Sequence, residues 1–317
     1  MSFAERDGVI WLDGKLVPWR EATTHVLTHS LHYGAGVFEG VRAYGTDSGP
    51  ALFRLQEHTA RLFRSAHILG MKIPFDQEVI NEAQVAVIRA NNLSEAYLRP
   101  LCFYGSEGMG LSADNLAVHC VVAAWEWPHL LAPEVKERGI VLRTSSFTRH
   151  HVNITLCRAK ATGNYLNSMM AYREARDSGA DEALLLDSEG YVAEGSGQNI
   201  FILKDDGILY TPQPGSCLAG ITRDTVMRLA HELGIEVRES RISRDEVYTA
   251  QEAFLVGTAA EIVPVIAHDG RQIGTGKPGP VGRRIVQLYA DLVRGRLSQW
   301  PDWLTWVHGS GRRTIAS

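Results

Sequence analysis

The sequence predicts an α+β protein of two domains, and three observations support this fold class. The chain has 317 residues, about the length of two average domains, and 45% of them are hydrophobic, enough for two cores. The first half alternates hairpin signals with helical patterns. The second half is a series of short apolar runs separated by tight turns, which indicates a meandering sheet. We expect a smaller N-terminal α+β domain at residues 1–126, an interdomain loop at 127–134 and a larger domain at 135–317.

The first half is expected to contain hairpins and two helices. Asp13-Gly14 separates two short apolar runs, which is a strong signal for a tight hairpin turn. Gly70 ends the first predicted helix, and Asp76 is placed to cap the second. The predicted elements are strands at 9–12, 16–19, 37–44 and 51–54, helices at 55–69 and 77–91, and strands at 97–103 and 116–125.

The strand at 97–103 carries an arginine where apolar residues are expected. Tyr97, Arg99 and Leu101 alternate along it and therefore share one face. An arginine on such a face either binds an anion or reaches solvent from an edge strand, and the neighbouring Pro100 favours an edge. The residues alone leave both interpretations open.

A crowded lysine lies near the start of the second half. The segment Arg158-Ala-Lys160-Ala-Thr-Gly163-Asn164-Tyr165 places Lys160 between two alanines and shortly before a glycine. Small neighbours allow the backbone to pack closely, and Asn164 is positioned to cap the following helix. Removal from water favours the neutral amine, the form that makes a Schiff base with a carbonyl group. The alternative is a surface lysine just before a helix.

The sheet of the second half ends one strand on a carboxylate. Glu194 is followed directly by Gly195-Ser-Gly197, although a glutamate at such a turn is usually only solvated. The strands of this meander are predicted at 140–145, 183–187, 191–194, 199–204 and 208–210.

Two further junctions consist of small residues. Gly220-Ile221-Thr222 precedes a helix predicted at 223–233, with Thr222 as its cap, and the start of a helix binds phosphate well. Gly257-Thr258-Ala259-Ala260 follows an apolar strand. Each junction alone is also explained as an ordinary cap or turn.

Composition excludes several classes of function. The net charge of −4 provides no basic surface for nucleic acid, and no apolar run reaches the ~20 residues of a membrane span. The four scattered cysteines and the charged N-terminus favour a reduced, cytoplasmic protein over a secreted one. His25, His29 and His32 have helical spacing, but the sequence near them offers no acidic or cysteine partner, so we expect no metal site. The glycines at 34–40 do not have the spacing of a dinucleotide fingerprint.

Together, the lysine, the carboxylate and the two small-residue junctions fit pyridoxal 5′-phosphate, which needs an amine, an anion site and an acid for its ring nitrogen. From about residue 9 to 307 the sequence resembles the branched-chain amino acid aminotransferases of fold type IV. The motifs are His32-Tyr-Gly-x-x-Val-Phe38-Glu-Gly-x-Arg42, Glu57-His-x-x-Arg61-Leu, Ala159-Lys-Ala-x-Gly-Asn-Tyr165, Glu194-Gly-x-Gly-x-Asn199, Gly220-Ile-Thr-Arg-Asp224 and Gly257-Thr-Ala-Ala-Glu261.

The resemblance implies a larger domain with a barrel-like β core, a homodimer or higher oligomer such as a hexamer, and specific residue roles. Lys160 would carry the cofactor and act as the base, Glu194 would pair with the ring nitrogen, and Tyr165 would lie beside the ring oxygen. The implied phosphate ligands are Arg61, Ile221, Thr222 and Thr258. The implied substrate-binding residues are Tyr33 (across a dimer interface), Phe38, Tyr97 and Trp127 (apolar walls), Arg99 (distal carboxylate of glutamate), and Thr258 and Ala259 (α-carboxylate).

The implied reaction is transamination of leucine, isoleucine and valine with 2-oxoglutarate. D-amino acid transaminases, (R)-amine transaminases and aminodeoxychorismate lyase of the same fold share the lysine and the glutamate. The Tyr97-x-Arg99 pattern and the Gly257-Thr-Ala-Ala260 turn favour the branched-chain interpretation. A non-catalytic carrier of pyridoxal phosphate is a further alternative, which the complete set of site residues disfavours.

Overall fold

The computed structural model describes residues 2–127 and 133–308. Five residues of the predicted interdomain loop, 128–132, lie outside the described residues, as does the tail from residue 309 that the sequence predicts to be disordered. No helix of the described part is both long and apolar enough to cross a membrane.

The first part of the chain contains two antiparallel hairpins and two long helices. Its elements are β1 (Val9–Leu12), β2 (Lys15–Pro18), α1 (His29–Tyr33), β3 (Gly36–Phe38), β4 (Val41–Thr46), β5 (Gly49–Phe53), α2 (Leu55–Ile68), α3 (Gln77–Ala90), β6 (Ala96–Tyr104) and β7 (Val118–Trp125). The predicted turn between β1 and β2 is present, with Asp13 and Gly14 both at positive φ.

The remaining elements are mostly strands of a second sheet. They are α4 (Pro133–Arg138), β8 (Ile140–Thr144), α5 (Tyr165–Asp177), β9 (Glu182–Leu186), β10 (Val192–Gly195), β11 (Asn199–Leu203), β12 (Leu209–Pro212), α6 (Ile221–Glu232), β13 (Val237–Ser240), α7 (Arg244–Tyr248), β14 (Glu252–Gly257), β15 (Glu261–His268), β16 (Arg271–Gln272), α8 (Pro280–Val293) and β17 (Leu304–Trp306).

Contacts divide the described chain into two compact units. The first comprises residues 2–127, 159–163 and 291–308, and the second comprises 133–158 and 164–290. The first unit therefore includes the lysine segment and the C-terminal strand, which the predicted linear boundaries assign to the larger domain. The boundaries of independently folding domains stay a prediction.

Each unit has its own sheet. Among the described residues, the first unit orders its strands β17-β5-β4-β6-β7-β1-β2, with β3 also paired to β6. The second orders them β10-β9-β8-β15-β14-β11-β12-β13, with β16 paired to β15. The second sheet is a half-barrel, and the predicted α+β fold class is confirmed.

The core of the first unit lies between its sheet and the helices α2 and α3. Leu55, Leu62 and Ala66 are buried on one face of α2 and pack into this core. His58, Arg61 and Ser65 are buried on the same helix as well. Helix α2 thus brings three polar side chains into the interior beside β3.

The run predicted as one strand at 37–44 is interrupted after Phe38. Strand β3 pairs with β6 at Leu101–Phe103, whereas β4 pairs with β6 at Ala96–Leu98. Between them, Glu39 N–H donates to the carbonyl of Pro100 at 2.8 Å. Strand β6 lies inside the sheet, so the structure excludes the alternative in which Arg99 lies on an edge strand. Pro100 is tolerated because its ring nitrogen faces this interruption, where the regular ladder is absent.

Candidate active site

The backbone of Lys160 is fixed on both sides within the first unit. Phe38 N–H donates to the Lys160 carbonyl at 3.1 Å, and Lys160 N–H donates to Ser65 Oγ at 3.0 Å. The next residue, Ala161, forms an isolated bridge with Val37. The lysine segment therefore lies against β3 as a short additional strand.

Small residues allow this close packing, as the sequence predicts. Ala159 and Ala161 are buried, and Gly163 N–H donates to the carbonyl of Gly34 at 3.0 Å. A Cβ atom on Gly163 would lie 3.1 Å from that carbonyl oxygen. Lys160 itself is half-buried, with Nζ 4.9 Å from the centroid of the Phe38 ring.

Three charged or polar side chains form a buried cluster beside the lysine, here called the Glu39 cluster: Glu39, His58 and Arg61. Glu39 Oε1 accepts from Arg61 Nε at 2.6 Å, and Oε2 accepts from Arg61 Nη2 at 2.9 Å and from His58 Nδ1 at 2.7 Å. Burial alone would raise the pKa of Glu39, but the Arg61 charge and the hydrogen bonds from Arg61 and His58 hold that pKa well below its usual range. Burial lowers the pKa of His58 despite its carboxylate partner, so its ring is neutral near pH 7.

A second group in this unit combines aromatic rings with one cation. Arg99 lies with its guanidinium carbon 4.7 Å from the centroid of Phe38, and its Nη2 donates to Tyr97 Oη at 3.3 Å. The Tyr97 ring meets Trp127 edge-on at 4.8 Å. Arg99 Nε is buried and has no hydrogen-bond partner among the described residues. This wall suits apolar groups and retains a donor for an anion.

Tyr33 is not part of that group. Its side chain is exposed, at 43% of its accessible surface, and its ring packs against His29 at 4.4 Å. Tyr33 closes α1, which Gly34 ends in the left-handed conformation. The structure therefore places Tyr33 at the surface of the first unit.

In the second unit, Glu194 is a buried carboxylate held from three directions. Arg149 Nη2 lies 2.8 Å from Oε1, and Oε2 accepts from the backbone N–H of Leu218 at 3.2 Å and from Asn199 Nδ2 at 3.4 Å. Glu194 and Arg149 are both almost completely buried. An arginine at this distance keeps the carboxylate ionised without water.

Arg149 also connects Glu194 to helix α5. Its Nη1 donates to Asn167 Oδ1 at 3.2 Å and to Ser168 Oγ at 3.3 Å. Tyr165, the predicted neighbour of the ring oxygen, is the first residue of this helix and is half-buried. Asn164 precedes the helix but makes no side-chain cap hydrogen bond.

The start of α6 is the predicted phosphate site of this unit. The helix begins at Ile221, and its N-cap is Gly220, which has no side chain with which to cap the helix. The prediction that Thr222 caps the helix is wrong, because Thr222 is the second helical residue and is buried. A Cβ on Gly220 would lie 2.0 Å from Asn199 Oδ1, so a side chain here would require Asn199 or the start of α6 to move. Asn199 therefore contacts both Gly220, at the start of α6, and Glu194.

The third junction is the hairpin turn between β14 and β15. Thr258 and Ala259 lie in this turn, which is closed by pairing of Gly257 with Glu261. A Cβ on Gly257 would lie 3.3 Å from the carbonyl oxygen of Gly197, in the turn after Glu194. The three predicted junctions of the second unit are therefore neighbours.

Each unit by itself carries donors of the kind that pyridoxal 5′-phosphate needs. The first unit supplies an amine on a fixed backbone and a buried guanidinium, in Lys160 and Arg61. The second supplies an ionised carboxylate at Glu194 and the N-terminus of α6, whose peptide dipoles favour an anion. Gly220 packs closely against Asn199, and Gly257 packs closely against Gly197, so a side chain at either glycine would crowd its neighbour.

The sequence interpretation missed three residues of these clusters. Glu39 and His58 stand inside quoted motifs; the carboxylate next to Phe38 was the available signal for Glu39, whereas His58 lies between Glu57 and Thr59 and had no such signal. Arg149 belongs to a segment without helical or strand periodicity and pairs with Glu194 only through the fold. No local pattern identifies such a partner.

Comparisons with known proteins show the family of this chain. Residues 36–267 match the family model for Amino-transferase class IV, and the chain belongs to that family. A branched-chain-amino-acid aminotransferase of Pseudomonas aeruginosa is 60% identical over 97% of this chain and 100% of its own length. The enzyme of that name from Escherichia coli K12 is 45% identical over 94% of this chain and 97% of its own length.

Solved structures give the same result. A branched-chain amino acid aminotransferase from T.th., with pyridoxamine 5′-phosphate, has a TM-score of 0.93 and 48% identity, covering 95% of this chain and 99% of its own. The prediction of a transaminase resembling the branched-chain amino acid enzymes is confirmed.

Proposed function

We propose that this protein uses pyridoxal 5′-phosphate to transfer the amino group of leucine, isoleucine or valine to 2-oxoglutarate, giving branched 2-oxo acids and L-glutamate. The observation that carries the proposal is the fixed backbone of Lys160 together with the buried Glu194 paired with Arg149. The similar T.th. structure with pyridoxamine 5′-phosphate supports the choice of cofactor.

The bound cofactor supplies an aldehyde carbon that exchanges amino groups and a ring that accepts electrons from the substrate Cα. Lys160 would hold the cofactor through Nζ, and its freed amine would take the proton from the substrate Cα and deliver a proton to the former aldehyde carbon of the cofactor. Glu194 Oε1 and Oε2 are kept ionised by Arg149, so this carboxylate stabilises a proton on the ring nitrogen. Tyr165 orients the ring oxygen.

Phosphate binding is assigned to donors of two kinds. Arg61 contributes a charged guanidinium, and Ile221 and Thr222 contribute backbone N–H groups at the start of α6. Thr258 adds its hydroxyl from the turn after β14. Because phosphate carries no part of the chemistry, these contacts supply binding energy and orientation.

The substrate side chain is assigned to the wall formed by Phe38, Tyr97 and Trp127. Its rings accept the branched side chains, and the Arg99 guanidinium beside Phe38 provides the positive charge that the distal carboxylate of glutamate requires. Backbone N–H groups of Thr258 and Ala259 bind the α-carboxylate. One site thereby serves an apolar and an acidic substrate in alternate half-reactions.

A spectroscopic titration tests the proposal. The purified protein should show the visible band of a covalently held cofactor, which L-leucine shifts and 2-oxoglutarate restores. Absence of the band would contradict the proposed cofactor, and a band unaffected by leucine would contradict the proposed reaction and leave a non-catalytic carrier. A response to D-alanine or an (R)-amine in place of L-leucine would instead indicate one of the other transaminases of this fold.

We also propose that the protein is a cytoplasmic homo-oligomer, with Tyr33 reaching a partner subunit. The second unit exposes apolar side chains on α5 and in the preceding loop, including Leu166 at 65%, Met169 at 67% and Ile154 at 69%. A surface of this kind favours a second copy of the chain. All four cysteines are buried thiols, as expected in a reducing compartment. Light scattering of the purified protein gives the oligomeric mass, and a monomer would contradict this part.

A further inference from the structure

We propose that Glu39 is a positioning residue that holds Arg61 in place to bind the cofactor phosphate. The inference rests on the proposed function, in which Arg61 contacts that phosphate. Glu39 itself has 0% exposure and lies behind Arg61, so its effect on the cofactor passes through the arginine.

The contacts of Glu39 leave the arginine little freedom. Both carboxylate oxygens bind one edge of the guanidinium, through Nε at 2.6 Å and Nη2 at 2.9 Å. His58 Nδ1 donates to Oε2 at 2.7 Å, which prevents the carboxylate from rotating. The plane of the guanidinium is therefore fixed by two parallel bonds, and the N–H groups of its other edge have a defined direction.

Stability alone is a poor reason for this arrangement. A buried ion pair costs about as much in lost hydration as it returns, and apolar residues of similar size are often at least as stable. Leu55 and Leu62, on the buried part of the same helix, show that apolar side chains fit there. A function for the charge of Arg61 explains why a fully buried carboxylate accompanies it.

Glu39 also connects Arg61 to the backbone that holds Lys160. Its own N–H donates to the Pro100 carbonyl at 2.8 Å, and the preceding residue, Phe38, donates its N–H to the Lys160 carbonyl at 3.1 Å. Two consecutive residues, Phe38 at the end of β3 and Glu39 directly after it, therefore set the positions of both the amine and the guanidinium. A small, rigid cofactor held by its aldehyde carbon and its phosphate requires a constant spacing between these two groups.

Replacement of Glu39 by glutamine tests the proposal through affinity alone. The amide keeps the shape of the side chain but loses the charge and presents an N–H₂ group towards donors. We expect the preference of the apoprotein for pyridoxal phosphate over phosphate-free pyridoxal, measured as the ratio of their Kd values, to fall about 10- to 100-fold, the range found when a supporting partner of a binding group is removed. Affinity for pyridoxal should change little.

Glu252→Gln is the matched control, because Glu252 is also a buried carboxylate but accepts from the backbone N–H groups of Val281 and Gly282. It should lower the melting temperature without changing the affinity ratio. In an Arg61→Lys background, Glu39→Gln should have little further effect on the ratio. If Glu39→Gln fails to fold, Glu39→Asp, which is too short to reach both partners, replaces it.

A folded Glu39→Gln protein with the wild-type ratio would overturn the inference while leaving the proposed function intact. The inference would also be overturned if the fold-change of the affinity ratio in the double variant equalled the product of the fold-changes in Glu39→Gln and Arg61→Lys. Such a product means that the free-energy effects add and that the two residues act independently. Failure of the wild-type protein to prefer the phosphorylated cofactor would contradict the proposed function itself.

Discussion

Arg149 Nη2 lies 2.8 Å from Glu194 Oε1, and neither side chain is more than 7% exposed. The glutamate that is proposed to hold a proton on the cofactor ring is thus part of an ion pair within the chain itself. Arg149 is in turn held by Asn167 and Ser168 of α5. The protein therefore orients this carboxylate with its own side chains, which lowers the reorganisation that cofactor binding requires.

Loss of either partner should destabilise the apoprotein. Arg149→Met leaves Glu194 as an uncompensated buried charge, and Glu194→Gln does the same to Arg149, so each should cost about 3–5 kcal/mol. The double variant should be more stable than the sum of the single losses implies. Urea unfolding of the four apoproteins measures the coupling, and additivity within about 0.5 kcal/mol would show that the two residues act independently.

Lys160→Ala should abolish the covalent chromophore and turnover while leaving the fold intact, because the contacts that fix this segment are made by backbone atoms. Lys204→Ala is the control: Lys204 is another partly buried lysine, with Nζ 4.0 Å from the Tyr210 ring centroid. Peptide mapping after borohydride reduction locates the attached lysine. A pyridoxyl group on any lysine other than Lys160 would contradict the assignment.

Arg99→Leu should separate the two half-reactions. The variant should keep most of its rate with L-leucine, since an apolar side chain needs no charged partner. With glutamate and 2-oxoglutarate it should lose about 2–4 kcal/mol, a factor of about 30 to 1,000, because a buried carboxylate is left unpaired. Tyr97→Phe, which removes the hydroxyl that accepts from Arg99, should give a smaller loss with the same selectivity. Single-turnover stopped-flow measures the rate of each half-reaction separately. Equal losses with both substrates would show that Arg99 binds the α-carboxylate or stabilises the fold.

Gly220→Ala should weaken cofactor binding and cost about 1–3 kcal/mol of stability, the usual cost of a methyl group without space. The new Cβ would lie 2.0 Å from Asn199 Oδ1, so either Asn199 or the start of α6 must move. Gly215→Ala is the control, because a Cβ there meets nothing within 4 Å. Thermal unfolding and cofactor titration of both variants provide the comparison, and equal behaviour would disprove the close contact.

His268 should make folding stability depend on pH between about 6.5 and 4. Burial lowers the pKa of His268 to about 4, although Asp269 beside it acts in the opposite direction. The unfolded chain, whose histidines titrate near 6.5, then binds the proton first as the pH falls. Stability that is fully present above pH 6.5 is lost towards pH 4, at up to about 1.4 kcal/mol per pH unit.

Urea unfolding at several pH values tests this against His268→Gln, which should flatten the slope in that window. His231→Gln, at an exposed histidine, should leave the slope unchanged. An unchanged slope in His268→Gln would show that His268 is not the group responsible.

The sequence predicts those elements whose signals are local. The first hairpin, α2 and α3 agree with the predicted bounds within about two residues, because alternating residues, glycine stops and Asp13-Gly14 act over short distances. The interruption between β3 and β4 was not predicted. It depends on how two segments share β6, a pairing between distant parts of the chain that local periodicity at 37–44 does not encode.

The candidate-site residues also divide into those with a local signal in the sequence and those without one. Lys160 and the glycine junctions can be recognised in the sequence, because closely packed backbone requires small neighbouring residues. The partners Glu39 and Arg149 do not, because an ion pair between distant segments leaves no periodic pattern. The cap of α6 was predicted wrongly for a different reason. Thr222 has the right chemistry for a cap, but the N-cap position is held by Gly220. A side chain at Gly220 would meet Asn199, a contact that the sequence does not reveal.

The contact between Gly34 and Gly163 has a consequence for how this chain can evolve. Gly34 is at positive φ, and a Cβ on either glycine would lie 3.1 Å from a backbone atom of the other. Neither residue has a side chain to trim, so a mutation at one position has no compensating mutation at the other. A substitution at either site therefore requires the facing backbone beside the Lys160 segment to move by a few tenths of an ångström, so these two positions are constrained together in evolution.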